Sequence, residues 1–196
     1  MPSESVVLAF DTSAAHCAAA LLVGERIVVA RTEDMGRGQA ERLFPLLEEI
    51  LSEAGKTWRD LTAIGVGVGP GNFTGIRISV SAARGLALAL GIPAVGIDGF
   101  DARISVTPAG QIVAIPAPRE QYYIRPEGAE PALVSHAEAA LLGPLHTDVS
   151  ALDLIRAIAV LAASRACATT TPPSPVYVRP ADAAPSRDTA PVLLDQ

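Results

Sequence analysis

Lysine is almost missing from this chain. Lys56 stands alone, and the other basic residues are arginines scattered without a stripe. The formal net charge is −6, and only 4% of the residues are aromatic. Gripping a polyanion needs clustered cations and ring faces for stacking. Direct nucleic-acid binding is therefore not expected, and if the protein serves an RNA, another subunit must do the holding. Histidine is scarce too. His16, His136 and His146 form no helical pair, which leaves no metal-ligand spacing, and each reads as a surface or turn residue. Cys17 and Cys167 lie in Ala-rich segments and read as small buried hydrophobes of a reducing compartment, not as a disulfide frame. No run of about 18 apolar residues is free of small, polar or glycine breaks, so a membrane span is not expected. Only Glu4, and no basic leader, precedes the first apolar strand, so the expected location is the cytoplasm.

What is present is a folded composition, 49% hydrophobic and 18% charged over 196 residues. That suffices for one good core or two small lobes sharing a cleft. The most informative segment runs from Gly65 to Gly96, GVGVGPGNFTGIRISVSAARGLALALGIPAVG. It reads as a buried strand, a Gly-Pro-Gly turn, a helix from Thr74 to Leu90 and a second buried strand. Asn72 or Thr74 can cap the helix, and Gly91 with Pro93 stops it. Ile76, Val80, Ala83, Ala87 and Leu90 form one stripe. Ser79, Ala82, Leu86 and Ala89 form a neighbouring stripe of mostly small residues, and Arg77, Ser81 and Arg84 make a narrow polar strip. A helix apolar almost all round must be covered on more than one side. The turn itself is a poor phosphate loop, because Gly75 is followed by Ile76 and Arg77 where a Walker loop needs Lys and Ser or Thr.

Gln39 to Ala54 forms a second such helix, with Leu43, Leu46, Leu47, Ile50, Leu51 and Ala54 at helical spacing. Phe44 lies off that stripe, and Pro45 is expected to bend or restart the helix. Upstream, Val6–Phe10 reads as a strand, Asp11-Thr12-Ser13 as a tight turn, and 17–23 with 26–30 as an antiparallel pair. Asp11 is equally well explained as a turn residue bonding its own backbone. Downstream, 112–116 and 121–124 read as strands joined by a turn carrying Arg119, with helices over 136–142 and 149–166. Six prolines between Pro172 and Pro191 discourage regular structure near the end of the chain, where 175–180 is expected to pack as an extended edge.

This order of elements resembles the actin-like fold (the ASKHA, ribonuclease H-like α/β class), in which the first hairpin faces nucleotide phosphates. DTSAAHCAAALL, AERLFPLLEEIL, GVGPGNFTGIRISVSAARGLALALGIPAVGI and the closing PVYVRPADA resemble, in that order, the TsaB (YeaZ) family. The resemblance is dense over 6–97 and thin over 99–174. It implies a complete N-terminal lobe over 1–98 and a truncated second lobe over 99–182, and the proline-rich end reads as a loose tail over 183–196. It also implies a partner subunit of the enzyme TsaD in bacterial threonylcarbamoyl-adenosine synthesis on tRNA. Catalytic relatives hold a metal with two histidines four residues apart on the first long helix. The equivalent stretch here is Gln39-Ala40-Glu41-Arg42-Leu43, so no metal, catalytic residue or cofactor is expected.

The expectation is thus a non-catalytic subunit whose two apolar helices dock a TsaD-like homologue, in a complex that includes a TsaE-like ATPase and reaches tRNA only through other subunits. Alone, it is expected to form homodimers through the same surface. Candidate interface residues are Leu43, Phe44, Leu47, Arg77, Ser81, Ala83 and Arg84. Asp11, Thr12, Ser13, Gly69 and Gly71 are candidates for a vestigial phosphate site. Two alternatives stay open: a small actin-like phosphotransferase using Asp11 and the Gly69–Gly71 loop, and a metal-dependent peptidase, which the missing histidine pair disfavours.

Overall fold

Alternation along the first strands decides how the molecule is layered. The computed structural model describes residues 4–126, 128–166 and 171–178. In β1 (Val6–Asp11), Val6, Leu8 and Phe10 point into one core, while Val7 and Ala9 point into another. In β2 (His16–Val23), Cys17, Ala19 and Leu21 join the first core, and Ala18, Ala20 and Leu22 join the second. A sheet apolar on both faces has to be covered on both. With β3 (Arg26–Asp34), β4 (Ala63–Gly67) and β5 (Ala94–Ile97) it forms a five-stranded sheet of order β3-β2-β1-β4-β5. The β1-β2-β3 meander is antiparallel, whereas β4 runs parallel to β1 and β5 parallel to β4.

Helices α1 (Gln39–Glu53) and α2 (Phe73–Leu90) cover one face, burying Leu43, Leu46, Leu47, Ile50, Ile76, Val80 and Ala83. α1 runs through Pro45 as one helix, so the expected restart does not occur. The Asn72 side chain caps α2 by accepting from Gly75 N at 2.9 Å, and Gly91 ends it at φ +67°. α5 (Ala151–Arg165, numbered in chain order) covers the other face, whose strand residues are mostly small. It sits so close that a methyl group on Gly65 would strike Ala162.

The second sheet is smaller. β6 (Ile112–Ala117), β7 (Gln121–Ile124), β8 (Ala132–Ser135) and β9 (Leu145–His146) lie in the order β8-β7-β6-β9. Helices α3 (Gly99–Ile104) and α4 (His136–Ala140) flank it. The strands β8 and β9 and the helix α3 were not expected from the sequence. The turn residues Arg119 and Glu120 both have positive φ, 63° and 56°. After α5, residues 171–178 run as an extended strap, and Val176 N donates to Val68 O at 2.7 Å. Cys167 and the tail read over 183–196 fall outside the described residues.

α2 is the one described helix long and apolar enough to cross a membrane, with a mean hydropathy of 1.2. Its Ile76–Val80–Ala83 row packs on the chain's own sheet. Arg77 and Arg84 stand on its exposed face.

Candidate functional site

Three pieces meet at the carboxyl ends of the parallel strands, where open α/β sheets hold their ligands. The Asp11-Thr12-Ser13 hairpin follows β1, the Gly69-Pro70-Gly71 loop follows β4, and α3 follows β5. The hairpin is closed onto the loop. Thr12 is fully buried, and its hydroxyl donates to Gly75 O at 2.7 Å. Asn72 N donates to Ser13 O at 2.6 Å. Methyl groups on Gly71 or Gly75 would collide with the carbonyl oxygens of Ser13 and Thr12. These glycines therefore allow a backbone-to-backbone approach between hairpin and helix.

Asp11 is buried at the end of β1 and does not bond its own backbone. Its Oδ2 accepts from Ser13 Oγ at 2.9 Å and lies 2.9 Å from His16 Nε2. His16, expected on the surface or in a turn, is a buried residue of β2. Two further polar atoms are buried without a hydrogen-bond partner among the described residues, Asp11 Oδ1 and Arg103 Nε. Burial lowers the pKa of Arg103, opposed by the charges of Asp11 and Asp98. Cys17, beside this cluster in β2, is inert by the same logic, its thiol pushed up to about 11 chiefly by burial.

An arginine clasp ties α3 to the segment just after β7 and to α5. Arg125 Nη2 donates to Asp101 Oδ1 at 2.5 Å, Arg125 Nη1 lies 3.6 Å from Asp98 Oδ1, and Arg165 of α5 donates to Asp101 Oδ2 at 2.9 Å. Burial pushes the Asp101 carboxyl up, but the bonds and charges of Arg125 and Arg165 together outweigh it and leave it below its ordinary value. Asp98 moves up instead, mainly because it is desolvated. For Asp101 the folded pKa lies below the unfolded one. Its stabilisation is thus present above about pH 4 and lost as pH falls through the depressed value. Asp98 has the opposite sign. We expect Asp101→Asn to flatten the acid limb of the stability-versus-pH curve below about pH 4, and Asp98→Asn to steepen it. Urea unfolding across pH 2.5–6 (a range spanning both carboxylates) measures both.

The outward surface is the other candidate. Phe44 is 43% exposed on α1; on α2, Phe73 is 52% and Leu88 86% exposed. Arg77, Ser81 and Arg84 share that exposed face of α2. Leu43, Leu47 and Ala83, expected at an interface, are at most 1% exposed because they pack on the chain's own sheet. The structure therefore removes them from any outward surface, and Phe44, Arg77, Ser81 and Arg84 remain. The strap, expected only as an extended edge, adds Tyr177 to this surface. Tyr177 stacks on Phe73 with ring centroids 4.9 Å apart and accepts from Arg77 Nε at 2.9 Å, while the Arg77 guanidinium lies 3.9 Å over the Phe73 ring. Pro172 and Pro173 line a cavity with Arg84, Ala87 and Leu88 farther along α2. A Tyr just after a Pro-rich run was the available signal.

Among the described residues no three His, Cys, Asp or Glu side chains cluster as metal ligands. The five-stranded sheet covered on both faces, with the hairpin at its carboxyl edge, defines an actin-like, ribonuclease H-like α/β protein. The family model of TsaD, tRNA N6-adenosine threonylcarbamoyltransferase, matches residues 32–130. The chain is 37% identical over 91 residues to the tRNA threonylcarbamoyladenosine biosynthesis protein TsaB of Escherichia coli, which is 46% of this chain and 39% of that protein. It is 36% identical over 94 residues to TsaB of Buchnera aphidicola, which is 48% of this chain and 44% of that one. The match thus spans less than half the length of these two relatives. The solved structure of YeaZ from Pseudomonas aeruginosa superposes with a TM-score of 0.68 at 27% identity, covering 89% of this chain and 100% of that one. The chain belongs to the TsaB (YeaZ) family, within the TsaD superfamily.

Proposed function

We propose that this protein is a non-catalytic subunit of the assembly that forms threonylcarbamoyladenosine on tRNA in the cytoplasm. It docks a TsaD-like catalytic homologue through the exposed faces of α1 and α2, and the assembly includes a TsaE-like ATPase. The observation that carries the reading is the exposed row Phe73, Arg77, Ser81, Arg84 and Leu88 on α2, together with the exposed Phe44 on α1. Large apolar side chains left this open on a packed helix pair mark a protein interface. The relatives named for tRNA threonylcarbamoyladenosine biosynthesis supply the pathway. A net charge of −6 agrees with tRNA being held by other subunits.

Docking orders the nucleotide and metal site of the catalytic subunit and so raises transfer of the threonylcarbamoyl group to adenosine. This chain contributes no group to the transfer. The phosphotransferase reading asks more of the same residues, because the Thr12 hydroxyl and the Ser13 carbonyl are engaged by α2 and its loop. Without its partner the chain pairs with itself through the same faces. The deciding experiment reconstitutes the tRNA modification from purified components with and without this chain. Modification that depends on its presence is the expected result, and equal rates would overturn the reading.

A further inference from the structure

The charges on the two outward helices are sorted by sign. α1 carries five charged residues that fall into two rows. Arg42, Glu49 and Glu53 lie on the side of β3, where Arg42 bonds Glu33 and Glu49, and Arg31 bonds Glu49 and Glu53. The bonds from Arg42 hold both Glu33 and Glu49 below the ordinary carboxylate value. Those charges are satisfied within the molecule. Glu41 and Glu48 form the other row, exposed and flanking Phe44, with no ion-pair partner among the described residues. α2 has no acidic residue at all. Its Arg77 and Arg84 are exposed between Phe73 and Leu88, and they too lack an ion-pair partner among the described residues.

The two rows match in dimension. Glu41 and Glu48 are seven residues apart, and so are Arg77 and Arg84. Two turns of helix separate each pair by about 10.5 Å along its axis and return it to nearly the same side. Arg77 is moreover held in place by the Phe73 ring beneath it and by its bond to Tyr177, which lowers the entropy lost when a second charge is brought up to it.

We propose that the docking surface carries a charge code for a second copy of this chain, in which the Glu41/Glu48 row of each copy's α1 lies on the Arg77/Arg84 row of the other's α2. The inference rests on the docking reading above. A two-fold arrangement makes every such contact twice, because the same patch serves both subunits. Phe44 and Leu88 supply the apolar burial, and the rows set which helix crosses which and in what direction. Pairing α1 on α1 instead would bring acid against acid, and α2 on α2 arginine against arginine, each a repulsion that disfavours the wrong arrangement.

The test uses sedimentation equilibrium of the full chain at low salt. Two variants are prepared, Glu41→Arg with Glu48→Arg, and Arg77→Glu with Arg84→Glu. Each alone faces four like-charge contacts across the two-fold axis, and its self-association should weaken by about tenfold or more. An equimolar mixture restores every opposite-sign contact, so the heterodimer should form at close to the native affinity. A mixture no tighter than its components overturns the charge code. Thermal melts show whether loss of the Arg77–Tyr177 bond harms folding. Should it do so, Arg84→Glu is mixed separately with Glu41→Arg and with Glu48→Arg. Rescue by the first means antiparallel helices and by the second parallel ones, and either supports the code, whereas rescue by neither sinks it. Phe44→Glu distinguishes the two failures. If it abolishes the dimer while no mixture rescues, the surface stands and the code falls. If it leaves the dimer intact, the surface itself is wrong.

Discussion

Gly75→Ala is expected to lower stability by about 3 kcal/mol or more, although it adds one methyl group to a helix. Gly75 lies in the first turn of α2, where its N–H is taken by the Asn72 side chain and its carbonyl by the Thr12 hydroxyl. The added carbon would meet the Thr12 carbonyl oxygen. That oxygen belongs to a hairpin which Asn72 N also holds through Ser13 O, so neither side can withdraw without breaking buried hydrogen bonds. Gly85 in the same helix is the control. It is exposed, a methyl group there would touch nothing within 4 Å, and Gly85→Ala should stabilise by about 0.5–1 kcal/mol through helix propensity. Urea melts of the two variants give opposite signs if the hairpin–helix seam is as tight as the structure has it. A Gly75→Ala protein within about 0.5 kcal/mol of the native one would mean that the seam is loose.

Punctuation carried the N-terminal half of the sequence reading. Asn72 and Gly91 bound α2 because a cap needs a short polar acceptor and a stop needs a left-handed residue. The stripe on α1 was legible because leucines and isoleucines recur there at helical spacing. Its direction was harder to read. A stripe shows that a face is buried but not against what, and so Leu43 and Leu47 were assigned outward when they seal the chain's own sheet. Ala83 failed for a related reason: small residues surround α2, and composition alone cannot separate the side facing the sheet from the side facing solvent. The buried His16–Asp11 contact joins residues five apart across a strand start, a relation that no periodicity encodes. α3 has only six residues, too few for a stripe, and its tie to β7 and α5 runs through Arg125 and Arg165, 24 and 64 residues away from Asp101. The strap was legible only as an extended edge over 175–180, because proline-rich sequence does not say which element it lies on. Its hold on α2 comes from one tyrosine.

Asp11→Asn separates architecture from vestigial chemistry. In an actin-like protein that handled nucleotide, a carboxylate here would act on a bound metal, and its amide would leave the fold intact while weakening nucleotide binding. In this structure the carboxylate is 2% exposed, accepts from Ser13 Oγ and contacts His16 Nε2 through one oxygen, and places its other oxygen against the α-carbon of Gly67. The amide can accept at only one of its two positions, and it removes the negative charge from a buried pocket that also holds the Arg103 guanidinium. Breaking one side of such a buried arrangement costs about 2–4 kcal/mol. For a chain of this size that corresponds to a fall in Tm of about 4–16 °C. The expected result is a large drop in Tm with no magnesium-dependent ATP binding to lose, read by calorimetry on native and variant proteins side by side. Tight ATP binding by the native chain that disappears in a variant of unchanged Tm would restore the phosphotransferase reading, and with it an open hairpin in place of the closed one.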